Sequence, residues 1–259
     1  MYVADSRNHR IVEWKSDVTV GQIVAGGHEK GNQMNQLSYP VDVIFDKETN
    51  ALIIADAGNR RVMRWPYQKI ANGEILIADI DCGGLAMDQN GALYVSNRER
   101  NEVRRWRRGD KDGIVVAGGN GEGNQLDQFN WPTYIFVDSN YSLYVSDFYN
   151  HRVMKWIRDA QVGIIVVGGN GIGPSLTQLS YPQMVTVDRL DQIYVVDWEN
   201  CRVVRWSQGN TKRTIVVGGH GKGRQLNQLD CPRGLAFDRQ GNLYVADCGN
   251  HRIQKFEIE

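Results

Sequence analysis

The sequence predicts an all-β fold: a six-bladed β-propeller of four-stranded antiparallel blades, with the first blade lacking its inner strand and the last its outer strand. Three observations lead there. One pattern recurs six times along the chain. Each recurrence is flanked by short β-branched or aromatic runs followed by turn residues. No window holds a helical period longer than a turn or two.

The recurring pattern reads "YVADSRNHRIVEW" (2–14), "IIADAGNRRVMRW" (53–65), "YVSNRERNEVRRW" (94–106), "YVSDFYNHRVMKW" (144–156), "YVVDWENCRVVRW" (194–206) and "YVADCGNHRIQKF" (244–256). Successive copies start 51, 41, 50, 50 and 50 residues apart, the period of a propeller blade. Within 132–167, "TYIFVD" forms strand a, "LYVSD" strand b, "HRVMKW" strand c and "IIVVGG" strand d. Such a sheet is apolar on both faces and must be stacked between neighbours to bury itself. The first copy begins at strand b and the last stops after strand c, so six b–c pairs accompany five a strands and five d strands. The expectation is one propeller over residues 1–259 with an imperfect seam, Met1 beginning a truncated chain, and an unpaired edge on blade six.

Bulk properties narrow the function classes. The chain has 259 residues, enough for one large core. Thirty Lys and Arg balance thirty Asp and Glu, so no overall field attracts a polyanion. No stretch approaches the roughly 18 apolar residues of a membrane span, and "MYVADSRNHR" is no signal peptide. Cys82, Cys201, Cys231 and Cys248 show no CxxC spacing and read as free thiols, with Cys201–Cys248 the one bridge to check. Together these features favour the cytoplasm.

Each b–c junction but one carries an Asp and, five residues on, an Arg: Asp5 and Arg10, Asp56 and Arg61, Asp147 and Arg152, Asp197 and Arg202, Asp247 and Arg252. The third copy loses both together, with Asn97 and Glu102 in their places. Paired loss predicts that the two groups touch across the turn, in a structural role; removing one partner of such a buried pair costs about 3–5 kcal/mol.

Asp-x-x-Asn-His-Arg followed by a short apolar strand resembles the NHL repeat. Asn8-His9-Arg10, Asn150-His151-Arg152 and Asn250-His251-Arg252 carry the resemblance, with Arg60 and Cys201 departing at the His position and the third copy departing throughout. The resemblance implies a six-bladed propeller acting as a non-catalytic interaction module. Such propellers often follow RING and B-box domains and select substrates for ubiquitin transfer. This chain has no Cys/His zinc array, so any ligase chemistry would lie outside it. The family also includes top-face RNA binders, and RNA recognition stands as the alternative partner. Metal-dependent lyase or lactonase chemistry in the central channel is the third reading.

Four glycine stretches, "GGHEKGNQMNQLSYP" (26–40), "GGNGEGNQLDQFNWP" (118–132), "GGNGIGPSLTQLSYP" (168–182) and "GGHGKGRQLNQLDCP" (218–232), invite comparison with phosphate cradles. A P-loop needs Gly-Lys followed by Ser or Thr, and a dinucleotide fingerprint needs GxGxxG opening a long helix; neither is present. They read as d-to-a connectors, with Leu126 and Phe129, like Leu176 and Leu179, expected to plug each blade. Copy three lacks this connector, which accounts for the 41-residue period.

The inner strands contain no His, and Asp42 is their only early carboxylate, too few oxygens for calcium. His9, His151 and His251 fall on b–c turns and His28 and His220 on connectors, where they do not converge. No catalytic residue, metal or cofactor is therefore expected.

Binding is expected on the face shared by b–c turns and connectors. There Phe148, Tyr149, Trp198 and Glu199 follow the b-strand acids of blades four and five, and Arg7 and Arg98 those of blades one and three. Clustered exposed aromatics mark interaction surfaces, so a protein partner is the first expectation. Blade three, "NRERNEVRRWRRGDK", carries Arg98, Arg100, Arg104, Arg105, Arg107 and Arg108 around Trp106, the basis of the RNA alternative.

Overall fold

Six antiparallel sheets, one per repeat, make the chain a six-bladed β-propeller. The computed structural model describes residues 1–15, 18–67, 72–207 and 213–258. The chain divides into two compact units, Met1–Val116 and Ala117–Glu259.

In the first unit, blade one is β1 (Tyr2–Asp5), β2 (Arg10–Glu13) and β3 (Gln22–Gly26). Blade two is β4 (Pro40–Asp46), β5 (Ala51–Asp56), β6 (Arg61–Pro66) and β7 (Glu74–Ala78). Blade three is β8 (Cys82–Met87), β9 (Leu93–Asn97), β10 (Glu102–Trp106) and β11 (Ile114–Gly118), the last carrying the unit boundary. Strand β5 shows why the blades stack. Leu52 and Ile54 join one buried cluster with Ile11, Leu37 and Met63, whereas Ile53 and Ala55 join another with Leu85 and Val95. Period-two alternation sends neighbouring residues to opposite faces, and every residue of the strand is buried.

In the second unit, blade four is β12 (Pro132–Val137), β13 (Leu143–Asp147), β14 (Arg152–Trp156) and β15 (Ile164–Gly168). Blade five is β16 (Pro182–Val187), β17 (Gln192–Asp197), β18 (Arg202–Ser207) and β19 (Arg213–Gly218). Blade six is β20 (Pro232–Phe237), β21 (Leu243–Asp247) and β22 (Arg252–Phe256). Strand β17 repeats the alternation, Ile193 and Val195 facing the blade-four side and Tyr194 and Val196 the blade-six side. Blades one and six hold three strands each, b–c–d and a–b–c respectively, as the strand count predicts.

Between b and c the chain turns tightly. Asp147 and Arg152 are the last facing pair of the β13–β14 ladder. A single 3-10 turn, Phe148–Asn150, joins them and ends on His151 with φ 52°. The tryptophan that closes strand c packs under the glycine that opens strand d. A Cβ on Gly163 would lie 2.7 Å from the Trp156 ring, and one on Gly113 would lie 2.4 Å from Trp106. Only a residue without a side chain tolerates that approach.

One expectation about the connectors needs correction. Phe129 and Leu179 are fully buried, but Leu126 and Leu176 are 45% and 39% exposed. The Glu122–Phe129 bridge draws Phe129 inward onto Trp156, ring centroids 4.8 Å apart. Leu126 instead contributes its carbonyl, which accepts the Gly163 N–H at 2.8 Å. Among the described residues no helix is long and apolar enough to cross a membrane.

Candidate functional site

The b–c turns are fastened from inside the sheet. Asp147 Oδ2 accepts Arg152 Nε at 2.7 Å and Asn150 Nδ2 at 2.9 Å, while Oδ1 accepts the Asn130 N–H at 2.7 Å. The rest of the guanidinium turns to the connector: Nη1 donates to Asn124 O, and Nη2 to Gln125 O and Gln128 O. Both partners are buried. Burial pushes the Asp147 carboxyl up, and its donors and the Arg152 charge pull it down. Arg61, Arg202 and Arg252 repeat this arrangement on Asp56, Asp197 and Asp247, each also holding connector carbonyls. Arg10 meets Asp5 at 2.8 Å in a half-exposed pair.

Each glycine connector is closed by its own glutamine. Gln128 Nε2 donates to Asn120 O at 2.9 Å, and its amide fills the space a Cβ on Gly123 would need, 2.1 Å from Oε1. Gly121 takes φ 84° to make the turn. Carbonyls and an amide occupy the loop, so it is a spacer locked to the b–c turn and not a phosphate cradle.

Blade three is built differently. Its preceding connector shrinks to a few residues around Asp79–Asp81, so no run of carbonyls waits for a guanidinium. Glu102 instead accepts Arg104 Nε at 2.8 Å, and Arg98 pairs with Asp81. Arg108 binds Asp46 at 3.2 Å and Glu48 at 2.8 Å. Arg98, offered by the sequence as a binding residue, is thus committed within its own blade; the reason is Asp81, a neighbour brought beside it by the shortened connector. Arg7 lies exposed on the blade-one turn.

Blades four and five bring Phe148, Tyr149 and Trp198 together. Phe148 lies 5.0 Å from Tyr149 and 6.4 Å from Trp198 between ring centroids. Two rings not anticipated complete the cluster: Tyr181, 5.0 Å from Phe148 and 6.0 Å from Trp198, and Trp131, 6.2 Å from Tyr149. Tyr149 is 49% exposed and Trp131 38%; Phe148, Tyr181 and Trp198 are half-buried and Glu199 is exposed. Tyr181 is held from beneath by His151, whose Nδ1 accepts the Tyr181 N–H at 3.2 Å with the rings edge to face. The missed signal was positional. Tyr39, Trp131, Tyr181 and Cys231 all stand just before the proline that opens strand a, and all have positive φ.

Asp42 is buried, its carboxylate accepting the N–H groups of Val43 and Leu85, each at 2.8 Å. Desolvation pushes its pKa up to about 6. Its oxygens tie blade two to blade three. Cys82, Cys201, Cys231 and Cys248 are all free thiols, so Cys201 and Cys248 are not bridged. No three His, Cys, Asp or Glu side chains cluster at metal-binding distance among the described residues.

Scaffold and cluster together describe a β-propeller whose turns are fastened to its connectors and which carries five contacting aromatic rings around the turns of blades four and five. The NHL repeat model matches residues 179–206 and 229–256, which are strands a to c of blades five and six. No curated protein matches the sequence. Among solved structures, a nidogen/laminin complex aligns with TM-score 0.73 at 15% identity, over 97% of this chain and 87% of that one. Two auxiliary nutrient binding proteins also align at 16% identity over all of this chain. That from Bacteroides thetaiotaomicron gives TM-score 0.70 over 66% of its length, and that from Bacteroides ovatus 0.68 over 68%. At such identities the likeness is one of fold.

Proposed function

We propose that the chain is a non-catalytic interaction scaffold that docks a protein partner on the aromatic cluster of blades four and five. The observation that carries this is the contrast between junctions. Where blades five and six meet, Cys201, Cys231, Cys248 and Gly249 occupy the positions of His151, Tyr181, Trp198 and Glu199, so the fold does not need rings there. Four aromatics at the blade four–five junction, with Trp131 from the connector before blade four packed beside them, exceed what turn packing requires, and Tyr149 and Trp131 are well exposed. The descriptions of the similar structures, a complex and two binding proteins, are in keeping with binding. A substrate-recognition role beside a ubiquitin-ligase module belongs to this same reading.

The RNA reading is weaker, since three of the six blade-three arginines, Arg98, Arg104 and Arg108, are spent on carboxylates of this chain. A pull-down from nuclease-treated lysate tests the proposal, comparing wild type with Phe148→Ala/Trp198→Ala. Partners that disappear with the double variant are expected. Identical partner sets would remove the patch, and capture abolished by nuclease and by moderate salt would point to RNA.

A further inference from the structure

Resting on that reading, we propose that the blade four–five junction receives an arginine side chain of the partner protein, its guanidinium seated between the Tyr149, Tyr181 and Trp198 rings and the Glu199 carboxylate. The first unit shows what the same positions hold when the cation belongs to this chain. Tyr39 corresponds to Tyr181: each precedes a strand-a proline, and each donates its N–H to a histidine, His9 or His151. Over the Tyr39 ring lies the Lys30 ammonium, 4.8 Å from the centroid. Glu99 corresponds to Glu199, two residues past the end of strand b, and Arg60 Nη2 donates to its Oε2 at 2.6 Å.

At the blade four–five junction both receptors remain and both cations are replaced. Ile172 stands where Lys30 does, and His151 where Arg60 does. His151 supplies no charge: its Nδ1 is an acceptor, and burial holds its pKa below the ordinary value. Glu199 makes no ion pair among the described residues. Glu199 acts electrostatically on His151, which packs edge to face on Tyr181 at 4.7 Å, and an exposed carboxylate near aromatic rings makes a cation receptor. The planar guanidinium suits it better than an ammonium, because it stacks on a ring while its fork meets the carboxylate.

The test selects peptides from a random phage-displayed library on the full chain, then synthesises the winners with arginine or with citrulline, its neutral isostere. The expected winners share an arginine. Citrulline should weaken them roughly tenfold against wild type and far less against Glu199→Gln. Winners that need Phe148 and Trp198 but tolerate citrulline, or carry no basic residue, would overturn the arginine pocket and leave the docking face standing. A shared lysine would overturn the guanidinium assignment. Winners indifferent to Phe148→Ala/Trp198→Ala would remove both proposals. Because the Glu199 side chain is exposed and unpaired, Glu199→Gln should melt as wild type does, which a thermal scan verifies.

Discussion

Arg152 Nε donates to Asp147 Oδ2 at 2.7 Å, and the same guanidinium holds three carbonyls of the connector that precedes its blade. One side chain therefore fastens a turn to a loop 24 to 28 residues upstream. Blade three lacks both the long connector and the Asp–Arg pair, and these are a single structural change, because a guanidinium there would have no carbonyls to hold. Arg152→Leu should cost about 3–5 kcal/mol by leaving the Asp147 charge buried. Asp147→Leu/Arg152→Leu should cost less than the two single changes summed, as measured by urea unfolding. Conversely, Asn97→Asp/Glu102→Arg should add no stability to blade three.

The close approach of Gly163 to Trp156 makes a second prediction. Gly163→Ala forces the indole aside and should destabilise by about 1–3 kcal/mol. Gly121→Ala meets no atom within 4 Å but keeps φ 84°, so strain alone should cost about 1 kcal/mol. Trp156→Leu should shrink the Gly163→Ala penalty in a double-mutant cycle and leave that of Gly121→Ala unchanged.

Asp42 sets a pH dependence. Its folded pKa, about 6, lies above the ordinary carboxyl value. Its contribution to stability is therefore fully present below about pH 4 and lost as pH rises through 6. Unfolding free energy of wild type relative to Asp42→Asn should fall by up to about 3 kcal/mol between pH 4 and pH 7. A flat difference across that range would show that the carboxyl ionises normally.

The blade count and the Asp–Arg pairing were legible because they repeat: six copies expose the period, and the joint loss in copy three exposes the contact. What Arg152 does with its remaining donors was not legible, since backbone carbonyls leave no residue-type signature. The Arg98–Asp81 pair was not legible for a related reason: the 41-residue period shows the connector to be short, but not which side chain its remaining acid meets. Phe148, Tyr149 and Trp198 stood out as large residues where other copies place small ones. Tyr181 and Trp131 did not, although both occupy the position before the strand-a proline. Leu126 is expected from the sequence to plug the blade beside Phe129, but the bridge to Glu122 draws in Phe129 alone and leaves Leu126 exposed.

Loss of the outer rings should separate binding from folding. Tyr149 is half exposed, so Tyr149→Ala is expected to change stability by less than about 1 kcal/mol, while weakening any ligand of the patch.

The central claim is that the rings of blades four and five are a docking surface carried by a scaffold that does not depend on them. Titration of a captured partner or selected peptide against wild type and Phe148→Ala/Trp198→Ala, paired with urea unfolding of both proteins, tests it most directly. The account predicts at least a tenfold weaker complex with a stability loss below about 2 kcal/mol. An unchanged affinity, or a double variant that no longer folds, would show that the rings are internal packing.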